Sequence, residues 1–228
     1  MKNKPFVIFI DGADGVGKST LTQNLLHELD LHNQFAHMGD DNRKPLKFGT
    51  YDIMRSTQAG TFIREAMITE ELDETLRYSG FMYGVFYGLK KLFEQTDKDI
   101  IICDRSQATP YAYNICAPDM PAAIKNAQIA LFDDMNKRFF AKHGFQFLNV
   151  YLQLDPKIAF ERMTASREKL DVIEQRGVPF QEQVARGYES YFNKHTSVDR
   201  LLRYDTAKVS SKDTAQHIYY ELKKRNAV

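Results

Sequence analysis

The sequence predicts an α/β fold with a mostly parallel sheet and helices on both faces. Three apolar, β-branched runs are the main observation: FVIFI at residues 6–10, DIIICD at residues 99–104 and FLNVYLQL at residues 147–154. They lack polar alternation, which is typical of parallel strands covered on both sides. Helical patterns separate them, so right-handed crossovers should connect them. RLLRYD at residues 200–205 predicts another short strand.

Length and composition indicate one domain over residues 1–228. The chain has 228 residues, of which 43% are hydrophobic, enough for one substantial core. It carries 31 basic and 30 acidic residues, a formal net charge of +1. This balance gives no reason to expect a nucleic acid or a membrane surface as partner.

The two cysteines and the hydropathy pattern indicate the compartment. Cys103 and Cys116 do not make a disulfide framework, and Cys103 lies in an apolar run that predicts an inert core thiol. No segment approaches ~18 consecutive apolar residues, and no secretory leader pattern precedes the first strand. We therefore expect a soluble, cytoplasmic protein.

Two helical patterns stand out between the strands. Leu21, Leu25 and Leu29 repeat with the spacing of one buried helix stripe. Residues 78–93, YSGFMYGVFYGLKKLF, combine aromatic rings with three glycines. This second pattern has two interpretations, a helix packed closely through its glycines, which we favour, or a helix that lines a base pocket with rings. Residues 215–225 predict a closing surface helix.

The stretch GADGVGKS at residues 12–19 matches the phosphate-binding pattern G-x-x-x-x-G-K-[ST]. It follows a predicted strand and precedes a predicted helix, which is the context of a P-loop, so we expect a three-layer P-loop NTPase fold. Backbone N–H groups should bind phosphates, Lys18 should bridge the β- and γ-phosphates of ATP, and Ser19 should ligate Mg²⁺. The predicted ATP-binding residues are Gly12, Ala13, Asp14, Gly15, Val16, Gly17, Lys18, Ser19 and Thr20.

The second predicted strand ends in Asp104 and Arg105. An acid at the carboxyl end of a strand in a P-loop protein is placed to hold Mg²⁺ or its water. A guanidinium beside it suits a second phosphate, because its donors match phosphate oxygens in pairs. The alternative is a surface ion pair at a strand end.

The charged segment at residues 165–177, ASREKLDVIEQRG, also has two interpretations. It is either a solvated helix face or a lid, at about residues 163–178, that brings Arg167 to the transferring phosphoryl group. An arginine in that position contributes about 10³–10⁵ in rate. A closed lid also excludes water. The residues alone do not separate the two.

Taken together, these motifs resemble those of the thymidylate kinase family of nucleoside monophosphate kinases. The matching stretches, in order, are the P-loop with its acid Asp14, RST at residues 55–57 with Gly60, DRSQATPYAY at residues 104–113, REKLDVIEQ at residues 167–175, FQEQVARGY at residues 180–188 and YDTA at residues 204–207. Each is weak alone, and together they are specific.

The resemblance implies transfer of the γ-phosphoryl group of Mg²⁺-ATP to a deoxynucleoside 5′-monophosphate. It implies that Asp14 accepts the sugar 3′-hydroxyl and that Arg105 holds the acceptor phosphate. It also implies that Arg55, Thr109 and Tyr113 belong to the acceptor site and that YDTA edges the adenine site. Homodimers are usual in the family.

The family has one form with an arginine inside the P-loop and another with arginines in the lid. Gly15 follows Asp14 here, which excludes the first form. Arg167 matches the lid position of the second, so the resemblance favours the lid interpretation. Lys18, Arg105 and Arg167 are the predicted catalytic residues.

The chain departs from the family in its acceptor site. Tyr51 and Asp52 stand where an arginine usually grips the acceptor phosphate, so Arg43, Lys47 or Arg55 would have to replace it.

The base pocket departs as well. The best alignment puts Tyr78 at the ring-stacking position and Met82 where an arginine usually contacts the thymine carbonyl. A site without that donor should discriminate differently between bases. The loop ICAPDMP at residues 115–121 has no family counterpart and is a possible pocket element.

The leading hypothesis is phosphorylation of dTMP. A kinase for another or a modified deoxynucleoside monophosphate is the main alternative, and a deoxynucleoside kinase is a weaker one. A nucleotide-switch GTPase would need N-K-x-D, and NKRF at residues 136–139 and NKHT at residues 193–196 both lack the acid. A binding protein without catalysis is disfavoured because the predicted catalytic residues are present.

Overall fold

The computed structural model of the chain describes residues 4–38, 44–69, 72–115 and 120–228, without the side chains of residues 68, 74, 95 and 115. The strands are β1 (Phe6–Asp11), β2 (Phe48–Asp52), β3 (Ile100–Asp104), β4 (Gln146–Gln153) and β5 (Leu201–Asp205). They form a sheet in the order β2-β3-β1-β4-β5, and every neighbouring pair is parallel. The predicted α/β fold with a parallel sheet is confirmed.

Helices connect and cover the strands. They are α1 (Lys18–His37), α2 (Gln58–Thr69), α3 (Glu74–Gln95), α4 (Ala108–Pro110, continued by a π-helical turn at Tyr111–Ile115), α5 (Ala122–His143), α6 (Pro156–Ala165), α7 (Gly177–His195) and α8 (Ser211–Lys224). Short 3₁₀ turns at Glu174–Arg176 and Val198–Arg200 precede α7 and β5.

Strand β2 is not predicted by the sequence. This strand, FGTYD, lies at the edge of the sheet with β3 as its partner, and its residues are half-buried or exposed. An edge strand buries less surface than a central one and tolerates Gly and polar residues, so it lacks the apolar run by which the other strands were found.

The sheet separates two groups of buried side chains. Phe6, Ile8 and Ile10 of β1 belong to one core cluster, which also contains the predicted leucine stripe of α1. Val7 and Phe9 of the same strand belong to the other cluster. Alternate residues of a strand point to opposite faces, so β1 contributes to both layers and fixes the loop that follows it between them.

The aromatic helix packs through its glycines, as favoured from the sequence. A Cβ at Gly88 would overlap the carbonyl oxygen of Ile53, and one at Gly84 would meet the Met54 side chain at 2.6 Å. Glycine is therefore required at Gly88, where α3 approaches the backbone after β2, while at Gly84 the flexible Met54 side chain would have to move. Asp73 caps this helix by accepting from the backbone N–H groups of Thr75 and Leu76.

Some predictions concern residues outside the described ranges. Arg43, Cys116 and most of the loop at residues 115–121 lie there, so their predicted roles stay predictions. Cys103 is fully buried, and burial raises its pKa well above its ordinary value, as expected of an inert core thiol. In the described ranges, no helix is both long and apolar enough to span a bilayer.

Candidate active site

A cavity of about 570 Å³ lies at the carboxyl ends of β1, β2 and β3. In open parallel sheets this edge is the usual ligand site. Its walls come from four parts of the chain: Asp14, Gly15, Gly17, Lys18, Ser19 and Thr20 of the P-loop; Asp52, Ile53, Met54, Arg55, Arg64, Phe81 and Val85 of the β2–α3 region; Asp104, Arg105, Thr109 and Tyr113 after β3; and Arg162, Met163, Ser166, Arg167, Asp171, Ile173 and Glu174 after β4.

The P-loop has the geometry that its sequence predicts. Gly12, Gly15 and Gly17 all have positive φ, and Gly17 caps the start of α1. A Cβ at Gly12 would also lie 2.5 Å from the carbonyl oxygen of Leu152. The Lys18 ammonium donates to the carbonyl oxygens of Gly12 at 3.0 Å and Ala13 at 2.8 Å. Lys18 is therefore folded back along its own loop, at the N-terminus of a long helix.

Asp14 lies at the centre of a polar network. Its Oδ1 accepts from the Arg105 guanidinium at 2.5 Å, and its Oδ2 accepts from the Tyr113 hydroxyl at 2.9 Å. The Lys18 ammonium lies 3.7 Å from Oδ1. Residues that are far apart in the sequence thus meet at one carboxylate. Since a carboxylate has about four acceptor positions, Asp14 keeps capacity for another donor.

The charges in this network shift each other's pKa. Burial alone would raise the pKa of Asp14, but Arg105 and Lys18 hold it well below its usual range. Asp14 is therefore a carboxylate at every physiological pH. Burial and the Arg105 charge lower the pKa of Lys18 to about 8, although Asp14 opposes the shift. Lys18 consequently titrates close to the working range.

Arg105 is held in an unusual backbone conformation. Its φ is 70°, in the left-handed region that a residue with a Cβ rarely adopts. Its backbone N–H donates to the carbonyl oxygen of Ile10 at 3.0 Å. The guanidinium also donates to the hydroxyls of Tyr113 at 3.2 Å and Tyr188 at 3.3 Å. The predicted alternative, a surface ion pair, does not describe this half-buried, multiply bonded side chain.

Asp11, the last residue of β1, was not singled out from the sequence. It is fully buried, and its Oδ1 accepts from the Ser106 backbone N–H at 3.0 Å and the Thr109 hydroxyl at 3.3 Å. Burial raises its pKa to about 6, and the bonds from Ser106 and the Arg105 charge limit the rise. Asp11 ties the P-loop strand to the turn that presents Arg105. The sequence does contain a signal for Asp11, because this acid stands between a predicted strand and the P-loop.

Ser19 and Asp104 line the same cavity, as a shared metal site requires. Among the described residues, no cluster of three or more His, Cys, Asp or Glu side chains could bind a metal ion. Mg²⁺ prefers oxygen ligands and keeps several waters when it arrives with a nucleotide, so one hydroxyl and one carboxylate fit this ion. These two residues fit the predicted Mg²⁺ of ATP and do not form an all-protein metal cage.

The predicted lid lies along the cavity. It consists of a loop after α6 and the 3₁₀ turn before α7, and its Ser166, Arg167 and Asp171 face the space. The Arg167 guanidinium forms an ion pair with Glu174, whose side chain is 4% exposed. Glu174 also accepts from the Asp171 backbone N–H at 3.0 Å. Arg167 is thus at the cavity but paired within its own segment, a partner that the sequence analysis did not identify.

The acceptor-phosphate candidates are only partly brought together. Arg55 lines the cavity, with its Nε 3.9 Å from Asp52. Lys47 is not among the lining residues and pairs with Asp97 at 3.6 Å, so its substitution for the missing arginine stays a prediction without support from the cavity. Arg64 of α2, which the sequence analysis did not mention, does line the cavity.

Tyr78 and Met82 are not in the cavity wall, which corrects their predicted position. Tyr78 is fully buried and its hydroxyl donates to the Gln128 carbonyl of α5 at 3.4 Å, and Met82 lies in the core. Phe81 and Val85, three residues later, line the cavity instead. The direction of the helix is set by how α2 and α5 pack on it, and sequence spacing does not contain this information.

A second, smaller cavity of about 190 Å³ lies on the other side of the P-loop. Its lining residues include Val16 and Thr20 of the P-loop region together with Arg162 and Thr206. Thr206 belongs to the YDTA stretch that was expected to edge the adenine site. Arg162 and Thr20 line both cavities, so the two spaces adjoin at the P-loop.

The comparison with solved structures agrees with this architecture. The thymidylate kinase from Candida albicans matches over 98% of this chain and 93% of its own, with a TM-score of 0.65 and 16% sequence identity. The chain has the fold of a thymidylate kinase. No protein-family model matches the sequence, and no curated protein matches it significantly. At this identity the likeness to the Candida albicans thymidylate kinase concerns the fold.

Proposed function

We propose that the chain is an ATP-dependent deoxynucleoside monophosphate kinase that converts dTMP and ATP to dTDP and ADP. One observation carries the proposal: Asp14, inside the triphosphate-binding loop, is bonded to Arg105 and Tyr113 from the turn after β3. A P-loop that served ATP alone would gain nothing from a carboxylate, which repels phosphate. A carboxylate joined to an arginine suits a sugar hydroxyl next to a phosphate.

The donor side of the reaction uses the P-loop. Lys18 leaves its loop carbonyls to contact the β- and γ-phosphates, and backbone N–H groups of residues 15–20 surround them. Mg²⁺, held by Ser19 and Asp104, would neutralise phosphate charge when it binds with ATP. The second cavity, with Thr206 and Arg162, accommodates the adenine in this proposal.

The acceptor side uses the Asp14 network. Arg105 binds the acceptor 5′-phosphate, and its tyrosine partners keep the guanidinium in place while Asp14 accepts the 3′-hydroxyl. Thr109 and Tyr113 line the same wall. The acceptor phosphate oxygen and the γ-phosphorus then approach between Lys18 and Arg105, where the positive charges stabilise the transferring group.

In this proposal Arg167 completes the site. Its guanidinium leaves the ion pair with Glu174 and binds the transferring phosphoryl group. Charge develops on the equatorial oxygens in the transition state, so an arginine that moves in at that point contributes to rate more than to binding. The segment around it covers the cavity and keeps water away from the γ-phosphate. In this proposal residues 1–228 act as one domain, and the protein is a homodimer in the cytoplasm.

The second candidate function is a kinase for another or a modified deoxynucleoside monophosphate. The observation that favours it is the aliphatic side chain of Val85 in the cavity wall. Among the described side chains of α3, Val85 and Phe81 line the wall, so they offer an aromatic and an aliphatic surface and no hydrogen-bond donor to a base edge. Without such a donor, a base carbonyl is selected less strongly. The Candida albicans thymidylate kinase, which has the same fold, is described as having broad substrate specificity.

A turnover panel over natural and modified deoxynucleoside monophosphates tests the proposal. We expect phosphoryl transfer from ATP, with dTMP giving the highest kcat/KM. Comparable or higher turnover of another monophosphate would contradict dTMP as the preferred substrate and would support the second candidate function. Transfer to deoxynucleosides but not to monophosphates would indicate a deoxynucleoside kinase, and no transfer to either would overturn the proposal.

A further inference from the structure

The charged side chains around the main cavity are unevenly paired. Lys18 and Arg105 lie near Asp14, Arg55 lies near Asp52, and Arg167 pairs with Glu174. Two further arginines line the cavity, Arg64 and Arg162. Within the described parts of the chain, neither has a carboxylate within 4.0 Å. Each is a cation available to a bound anion.

The two unpaired arginines lie on different sides. Arg162 also lines the second cavity beside the P-loop, which places it with the donor nucleotide. Arg64 belongs to α2, which packs against α3. It lines the cavity together with Phe81 and Val85 of α3 and with Asp52 at the end of β2 and Arg55 after it. Arg64 is therefore on the acceptor side.

Arg64 is partly buried and lines the same cavity as a second cation, Arg55. Burial lowers its pKa, and the Arg55 charge lowers it further, with Asp171 and Asp52 opposing. Two guanidinium groups that line one wall attract a bound anion more strongly than either does alone. A phosphate monoester carries about 1.5 to 2 negative charges and several acceptor oxygens, which is enough for more than one guanidinium.

We propose that Arg64 binds the 5′-phosphate of the acceptor nucleotide together with Arg55 and Arg105. It thereby supplies the cation that Tyr51 and Asp52 do not provide. This inference rests on the proposed function and adds to it a specificity-determining residue on α2, which selects acceptors that carry a phosphate monoester.

Arg64→Gln tests this role, with Arg186→Gln as the matched control. Arg186 is an exposed arginine of α7 that pairs with Glu182, and it is absent from both cavities. We expect Arg64→Gln to raise the KM and Kd for dTMP by about tenfold or more, as the loss of a charge-assisted pair does. The affinity for ATP and for thymidine, which lacks the phosphate, should stay within about twofold of wild type. The control should match wild type throughout.

Arg64→Lys provides the test if the glutamine variant does not fold. A lysine keeps the charge but loses the planar pair of donors, so we expect a several-fold loss for dTMP and none for thymidine. Unchanged dTMP affinity in the variants would overturn the inference. Equal losses for dTMP and thymidine would also overturn it, because they would mean that Arg64 acts on the base, the sugar or the packing.

Asp171→Asn distinguishes two roles for Arg64. The first is binding of the acceptor phosphate, and the second is an electrostatic interaction with Asp171 that holds the lid. The amide can still accept from the backbone N–H groups of Ile173 and Glu174 that Asp171 caps. We expect dTMP to bind at least as tightly as in wild type, because a competing negative charge is removed. A loss equal to that of Arg64→Gln would overturn the inference. A wild-type protein that binds none of the deoxynucleoside monophosphates would overturn the proposed function as well.

Discussion

Lys18 combines two properties that bear on its proposed role in ATP binding. Its ammonium is bonded to the carbonyls of its own loop, and burial together with Arg105 lowers its pKa to about 8. A bound polyphosphate would replace the carbonyls and return the pKa toward its ordinary value. In the proposed function, the loop should therefore bind ATP most strongly when Lys18 is protonated before the nucleotide arrives.

The first prediction follows from this pKa. In the free protein Lys18 loses its proton as the pH rises through about 8, so ATP affinity should be nearly constant below this pH and fall above it. Calorimetry near pH 8.5 in two buffers of different ionisation enthalpy should detect proton uptake on ATP binding, and near pH 7 this uptake should disappear. An affinity that does not change between about pH 7 and 9 would contradict the assignment.

The second prediction concerns Asp14. Asp14→Asn keeps the size of the side chain but removes the charge that pairs with Arg105 and that, in the proposed function, accepts from the sugar hydroxyl. We expect the Kd for the deoxynucleoside monophosphate to rise by about tenfold, and the Kd for ATP to change by less than about threefold. Separate titrations with each ligand measure both values. A larger effect on ATP would mean that Asp14 serves the metal or the loop.

At the level of elements, the segment between α6 and α7 combines a cavity-facing arginine with its own internal acid. Glu174 is nearly buried, bonded to the Asp171 backbone and paired with Arg167. A charge run of this kind is solvated when it is only a helix face. Here the loop instead folds on itself along the cavity, with its guanidinium half-exposed toward the site.

The third prediction belongs to this segment. Arg167→Ala should lower kcat by at least about tenfold and leave ATP binding nearly unchanged, because the arginine contributes mainly in the transition state. Steady-state kinetics and a direct ATP titration give the two quantities. Lys169→Ala, a neighbouring loop residue outside both cavities, is the control and should retain wild-type kcat. An unchanged kcat in Arg167→Ala would remove the lid assignment.

For the whole molecule, the buried acid Asp11 connects stability to pH. It joins the P-loop strand to the turn after β3, and its second oxygen has no hydrogen-bond partner among the described residues. A carboxylate in such a position is costly, which is why its pKa rises to about 6 in the folded protein. This unfavourable burial of Asp11 occurs where its hydrogen bonds hold the turn that presents Arg105.

The fourth prediction is the resulting pH dependence of stability. Between the unfolded-state pKa of about 4 and the folded-state value of about 6, the folded protein binds more protons. This group's contribution therefore falls as the pH rises through that window, by up to about 2–3 kcal/mol, and is constant above it. Asp11→Asn does not titrate and should lose this slope. Urea unfolding of both proteins at several pH values between about 4 and 8 measures the difference. Parallel curves would contradict the prediction.

The parallel α/β sheet, the P-loop and most elements follow from the amino-acid sequence without further information. Apolar runs and helix stripes report burial of the central strands and of α1, and a glycine pattern reports the backbone of a phosphate loop. The same patterns could not reveal β2, whose edge position removes the apolar signal. The patterns alone do not predict which functional residues lie near one another. Only the resemblance to the thymidylate kinase family predicts the grouping of Asp14, Lys18, Arg105 and Arg167.

Which side chains face the cavity depends instead on tertiary packing. Helix α3 presents Phe81 and Val85 because α2 and α5 cover its other sides, and this rotation moves Tyr78 and Met82 into the core. Likewise, Arg64 lines the site from α2, four residues after the stretch that ends at Gly60, and no motif marks it. Local spacing specifies a helix and its apolar side, but the orientation of that side depends on contacts between residues distant in sequence.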